Sequence, residues 1–150
     1  MRKILALVTL ASFATPASAG LTVPLKPYTV VLTLSDKAAA KLGSSHEMLH
    51  INALYFGEAI KASDGDEMGE IQLGSEDVDI PGAGSAELGK IALEAADITK
   101  IKDHDPQLLI NVYTSRKVFE NNLLDCGIFH DSVTVAAKTP IAISCKLIGE

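Results

Sequence analysis

Apolar and polar residues alternate with period two in four stretches, the pattern of a half-buried strand. In 28–34, YTVVLTL, Val30, Leu32 and Leu34 alternate with Thr29, Val31 and Thr33. In 48–56, MLHINALYF, Leu49, Ile51, Ala53 and Tyr55 fall on one face and His50, Asn52, Leu54 and Phe56 on the other. Residues 108–114 form a third strand. In 141–148, Ile141, Ile143, Cys145 and Leu147 share a face, which predicts a core position for Cys145. Shorter strands are expected at 70–73, 87–93 and 133–137.

Between the first two strands, Ser35 can cap a short helix, DKAAAKL, that stops at Gly43. Residues 61–87 are acidic and rich in Gly and Ser, with DGDE at 64–67 and PGAG at 81–84, and read as turns around short strands. Residues 94–106 fit neither period, and Asp105-Pro106 should end whatever they form. Asn121 to Asp125 reads as a loop, and Thr139-Pro140 as a turn. About seven closely spaced strands with one short helix predict an antiparallel β-sandwich or small barrel. No second domain or internal repeat is evident.

The N-terminus departs from this pattern. Met1-Arg2-Lys3 is a basic start, Ile4 to Phe13 is uncharged and largely apolar, and Ala17-Ser18-Ala19 is a small-x-small cleavage signal. These are the three parts of a secretory signal peptide. The reading is therefore 1–19 signal peptide and 20–150 a single β-rich exported domain, periplasmic or secreted. The apolar stretch is shorter than the roughly 20 residues that span a bilayer, and no membrane anchor is expected.

Charge changes the choice of partner. The chain has 13 Lys+Arg and 19 Asp+Glu; without Arg2 and Lys3, 13 − 2 = 11 basic residues face 19 acidic ones, a net charge of −8. Such a surface disfavours nucleic acid and favours encounter with a basic protein. The two cysteines, Cys126 and Cys145, are expected to pair in an oxidising compartment. With no CxxC or CxxCH, nothing points to thiol exchange or covalent haem. The absence of an Asn-x-Ser/Thr sequon leans towards a bacterial periplasm.

Three motifs invite chemistry. His46-Glu47-Met48-Leu49-His50 matches H-E-x-x-H, which on a helix holds zinc between two histidines with Glu as general base. On a strand, however, His46 and His50 would lie about 13 Å apart, with Glu47 turned to the opposite face as a surface residue. The preceding Gly43-Ser44-Ser45 also interrupts a helix, and no GxxH follows His50. Residues 84–91, GSAELGKI, approach a P-loop but end in Ile91 and follow no apolar strand. Asp103-His104-Asp105 with His130-Asp131 offers metal-ligand chemistry, although turn-forming Asp beside solvated His explains the same residues. Asp64-Gly65-Asp66-Glu67 lacks EF-hand spacing, and no G-x-S-x-G elbow supports a hydrolase triad.

The sequence therefore favours an exported, non-enzymatic binding module for a basic protein or a small ligand, with no cofactor. Its concrete form is an acidic inhibitor of a basic secreted enzyme such as a lysozyme, steered by acidic loops at 64–79. The rival is a zinc-dependent hydrolase with Glu47 catalytic and His46 and His50 on the metal. A third reading is a periplasmic metal-binding protein using His104, His130 and neighbouring Asp residues.

Overall fold

A computed structural model of the chain describes residues 20–150; the signal-peptide reading of 1–19 lies outside them. Ten strands, β1 to β10, occupy Thr22–Pro24, Tyr28–Leu34, Leu49–Glu58, Glu70–Ile80, Gly84–Leu88, Ala92–Glu94, Gln107–Thr114, Leu124–Cys126, Phe129–Ser132 and Ile141–Leu147. Three helices, α1 to α3, occupy Asp36–Ser45, Ala95–Ile98 and Val133–Ala136.

Two four-stranded sheets form a sandwich, in the orders β5-β2-β10-β8 and β4-β3-β7-β9, and β1 pairs with β6 as a small third sheet. The described strands close no barrel, so the sandwich is the alternative that holds. All pairings are antiparallel except β2 with β10, which run parallel with Val30 opposite Ile141 and Leu34 opposite Cys145. The alternation seen in the sequence builds the core. Tyr28, Val30 and Leu32 of β2, and Ile141, Ile143 and Cys145 of β10, face Leu49, Ile51, Ala53 and Tyr55 of β3 and Leu108, Ile110 and Val112 of β7. Removing this apolar area from water is the main stabilising term.

Helix α1 carries the chain from one sheet to the other. Ser35 caps it through a bond from the Ala38 N–H at 3.2 Å, and Ala38 and Leu42 are its buried residues. It passes Gly43, where a stop was expected, and ends when His46 turns left-handed at φ 58°. The His46 N–H then reaches the Gly43 carbonyl and the Glu47 N–H the Leu42 carbonyl, which satisfies the helix end.

Three local expectations are corrected. Residues 133–137 form helix α3 rather than a strand, because the Ser132 hydroxyl accepts from the Val135 N–H and caps a turn. The acidic stretch at 64–79, expected as loops around a short strand at 70–73, is largely β4: that strand continues to Ile80 as an eleven-residue edge strand held along β3, with a register shift at Tyr55/Phe56. Residues 87–93 divide between β5 and β6 at Gly89. There φ is +82° and a Cβ would lie 2.7 Å from the Lys26 carbonyl oxygen, so only glycine fits.

The disulfide joins Cys126 to Cys145, which stand opposite each other where β8 pairs antiparallel with β10. It ties an edge strand to the last strand of the chain.

Candidate functional site

The outward phase of the β4-β3-β7-β9 sheet arranges its side chains in rows. Asp79, His50 and Tyr113 form one row across β4, β3 and β7, and Asp77, Asn52 and Asn111 the next. Ser75, Leu54, Leu109 and His130 form a third row that reaches β9. His50, Asn52, Leu54, Leu109, Asn111 and Tyr113 are half-buried, so this face meets solvent while its partner face is sealed in the core.

The first two rows are locked together. His50 Nδ1 lies 2.6 Å from Asp79 Oδ1, and its Nε2 lies 3.1 Å from Asp77 Oδ1. Asn52 Nδ2 donates to Asp77 Oδ1 at 2.8 Å. Lys117 Nζ donates to Asp79 Oδ2 at 2.6 Å. Together with His50, the Lys117 bond holds the Asp79 carboxyl below its ordinary value. The His50 ring lies against Tyr113, with centroids 4.8 Å apart, and the Arg116 guanidinium sits 5.5 Å from the Tyr113 ring centre. The result is an ordered surface of aromatic, amide and carboxylate groups.

Glu47 occupies the rim of this face and differs sharply from its sequence reading. It is 1% exposed, under cover of the loop 115–119. Its Oε1 accepts from Ser115 Oγ at 2.6 Å and from the backbone N–H groups of Met48 at 3.0 Å and Lys117 at 3.3 Å. Its Oε2 accepts from the N–H groups of Val118 at 2.9 Å and Phe119 at 3.0 Å. Burial works to raise its pKa, but these donors outweigh it and hold the carboxyl at about 2. The carboxylate anchors the loop that carries Lys117 to Asp79.

A second polar chain crosses the interior. The Tyr28 and Tyr55 hydroxyls lie 2.7 Å apart, and Tyr55 Oη donates to Glu76 Oε2 at 3.1 Å. Glu76 also accepts from the Gly89 N–H at 2.8 Å. Burial pushes Tyr28 up to about 12 and Tyr55 further still, with the Tyr28 bond and the Glu76 charge adding to the latter.

The three H-E-x-x-H residues fall in three different settings. His46 is the left-handed cap of α1, not a strand-edge residue; Glu47 is buried, not on the surface; and His50 is the second residue of β3. Both ring nitrogens of His50 already have carboxylate partners, and all of Glu47's acceptors are occupied. The second group of candidates is also dispersed over different contacts. His104 has φ 52° in the turn after Ile101, Asp105 accepts from Thr134 Oγ1 at 2.9 Å, and His130 packs on the Phe56 ring with centroids 5.6 Å apart. Asp131 accepts from the Ser132 N–H at 2.7 Å. Among the described residues, no three metal-ligand side chains converge.

Asp77, Asp79, Asn111, Tyr113 and Lys117 were not singled out in the sequence. For Asn111 and Tyr113 the signal was the polar phase of the alternation in 108–114, which marks an outer face as clearly as the apolar phase marks the core; Asp77, Asp79 and Lys117 reach that face through strand pairing and the loop after β7. Comparisons with family models, with curated proteins and with solved structures find no match.

Proposed function

We propose that the protein is an exported, non-enzymatic binding domain that engages a basic protein through the outer face of the β4-β3-β7-β9 sheet. The observation that carries this reading is the set of ordered rows led by His50, Asn52 and Tyr113. Polar and aromatic side chains already fixed by neighbours lose little freedom on binding. Tyrosine is also enriched at the centres of protein interfaces. Four strands about 4.8 Å apart and rows about 7 Å apart give a face on the order of 20 Å across. That is the scale of the central part of a standard interface of about 800 Å² per partner. The net charge of −8 after removal of residues 1–19 would speed encounter with a cationic partner. The concrete form is an inhibitor that covers the active site of a basic secreted hydrolase.

Surface plasmon resonance of the protein starting at Gly20 against a panel of basic secreted hydrolases, lysozymes included, tests this. The expected result is binding to at least one of them that weakens as salt rises and falls at least tenfold in the Tyr113→Ala and Asn52→Arg variants. Absence of salt-dependent binding across the panel, or binding indifferent to both substitutions, would overturn it.

A further inference from the structure

A cavity of about 390 Å³ lies away from the sheet face, between the N-terminal strand β1, helices α2 and α3, and the turn at 104–106. Its apolar wall includes Leu25, Ile98, Pro106, Val133 and Ala137. Its polar lining is Lys26, His104, Asp105, Thr134 and Lys138. We infer that this cavity binds a small amphipathic carboxylate, with the apolar body inside and the carboxylate between Lys26 and Lys138.

Charge is the first argument. The chain carries an excess of acid, yet here two lysines and a histidine line the cavity against one carboxylate. That carboxylate, Asp105, is held by Thr134 Oγ1 at 2.9 Å. Five other lysines make ion pairs; among the described residues Lys26 and Lys138 make none, as is also true of Lys37, Lys41 and Lys61, but only Lys26 and Lys138 line this cavity. Two ammonium groups without partners beside an apolar recess are complementary to an anion with an apolar body.

Backbone conformation is the second. Asp103 and His104 are consecutive non-glycine residues with left-handed φ of 57° and 52°. Each departs from the conformations that side chains favour, and such departures cluster at ligand sites. Their effect here is to turn the chain so that His104 lines the cavity.

Size is the third. The volume equals that of about a dozen water molecules in the liquid, and it falls within the usual range for small-ligand sites. A ligand body of about a dozen non-hydrogen atoms fills it. The inference is independent of the sheet face, which lies on other strands.

Isothermal titration with decanoate, with decylammonium as the control of equal body and opposite charge, tests it on the protein starting at Gly20. Decanoate should bind at one site and at least tenfold more tightly than decylammonium. The double variant Lys26→Glu, Lys138→Glu should lose at least tenfold in decanoate affinity. Ala137→Phe, which fills the cavity, should abolish binding with the urea unfolding midpoint retained. If Ala137→Phe disturbs folding, amide chemical-shift mapping on the native chain serves instead, with changes expected at 23–26, 104–106 and 133–138. No decanoate binding, equal affinity for decylammonium, indifference to the double charge reversal, or shifts centred elsewhere would each overturn the inference.

Discussion

Replacing Glu47 by Gln removes one charge and one acceptor from a side chain that receives five donors. The two oxygens divide them: Met48 N–H, Ser115 Oγ and Lys117 N–H on Oε1, and Val118 and Phe119 N–H on Oε2. Whichever way the amide turns, its NH₂ faces at least two donors and leaves them without an acceptor. Each orphaned buried donor costs about 1–3 kcal/mol. The carboxyl gives a second measure. Its pKa falls from 4.5 to about 2 on folding, which corresponds to roughly 3 kcal/mol of stability. Because only one loop covers the group, a loss of about 2–3 kcal/mol at neutral pH is the expectation.

The sign follows from the lowered pKa. The contribution is fully present above the unfolded value near 4.5 and disappears as pH falls through about 2. Urea unfolding of native protein and variant at pH 7, 4 and 2 reads both effects. With a urea slope of roughly 1.5 kcal/mol per molar, the midpoint of Glu47→Gln at pH 7 should fall by about 1.3–2 M. The gap should narrow towards pH 2, where the native carboxyl is itself about half protonated. A pH 7 loss below about 0.5 kcal/mol, the usual size for a surface change, would refute the buried-anchor argument. A gap that stays constant from pH 7 to 2 would refute the electrostatic half of it.

Two further predictions concern the scaffold. The Cys126→Ser, Cys145→Ser double variant reopens a loop of 19 residues and should lose about 3 kcal/mol in urea unfolding on the chain-entropy account; unreduced protein should give no free thiol on titration after unfolding, and two reactive thiols would sink the pairing. Tyr28 is raised from 10.0 to about 12, so its stabilising contribution is complete below pH 10 and is lost as pH rises through about 12; a Tyr28→Phe variant should lose an ultraviolet ionisation step in that range, and an unchanged titration curve would contradict the buried pair.

The elements most legible in the sequence were those in which one face is sealed. Strand β2 begins and ends at the residues its alternation marks, and β3, β7 and β10 do so to within a residue or two. In each case the core phase is unbroken. Strand β4 was less legible because its residues carry Glu76, Asp77 and Asp79 and include Gly74. Its place is set by pairing with β3, and pairing is a property of the partner strand. Helix α3 was hidden by the β-branched Val133, Thr134 and Val135, whose strand preference yields to a capping hydroxyl at Ser132. Glu47 was hidden for a stronger reason. Four of its five donors lie 68 to 72 positions along the chain, so no local pattern announces its burial. The outer sheet face was present in the sequence as the polar half of each alternation, but which strands lie side by side could not be read from it.

The parallel pairing of β2 with β10 has a consequence for the order of events during synthesis. Tyr28–Leu34 emerges well before its neighbour Ile141–Leu147, which is made about a hundred residues later. Until then β2 has one side of its backbone paired only with water. Nor can Ile141, Ile143 and Cys145 yet close the core over β3 and β7. Contacts between segments far apart in sequence are slow to form because a large loop must first close. Completion of this sheet therefore waits until β10 has been made, and β2, although made first, is sealed last.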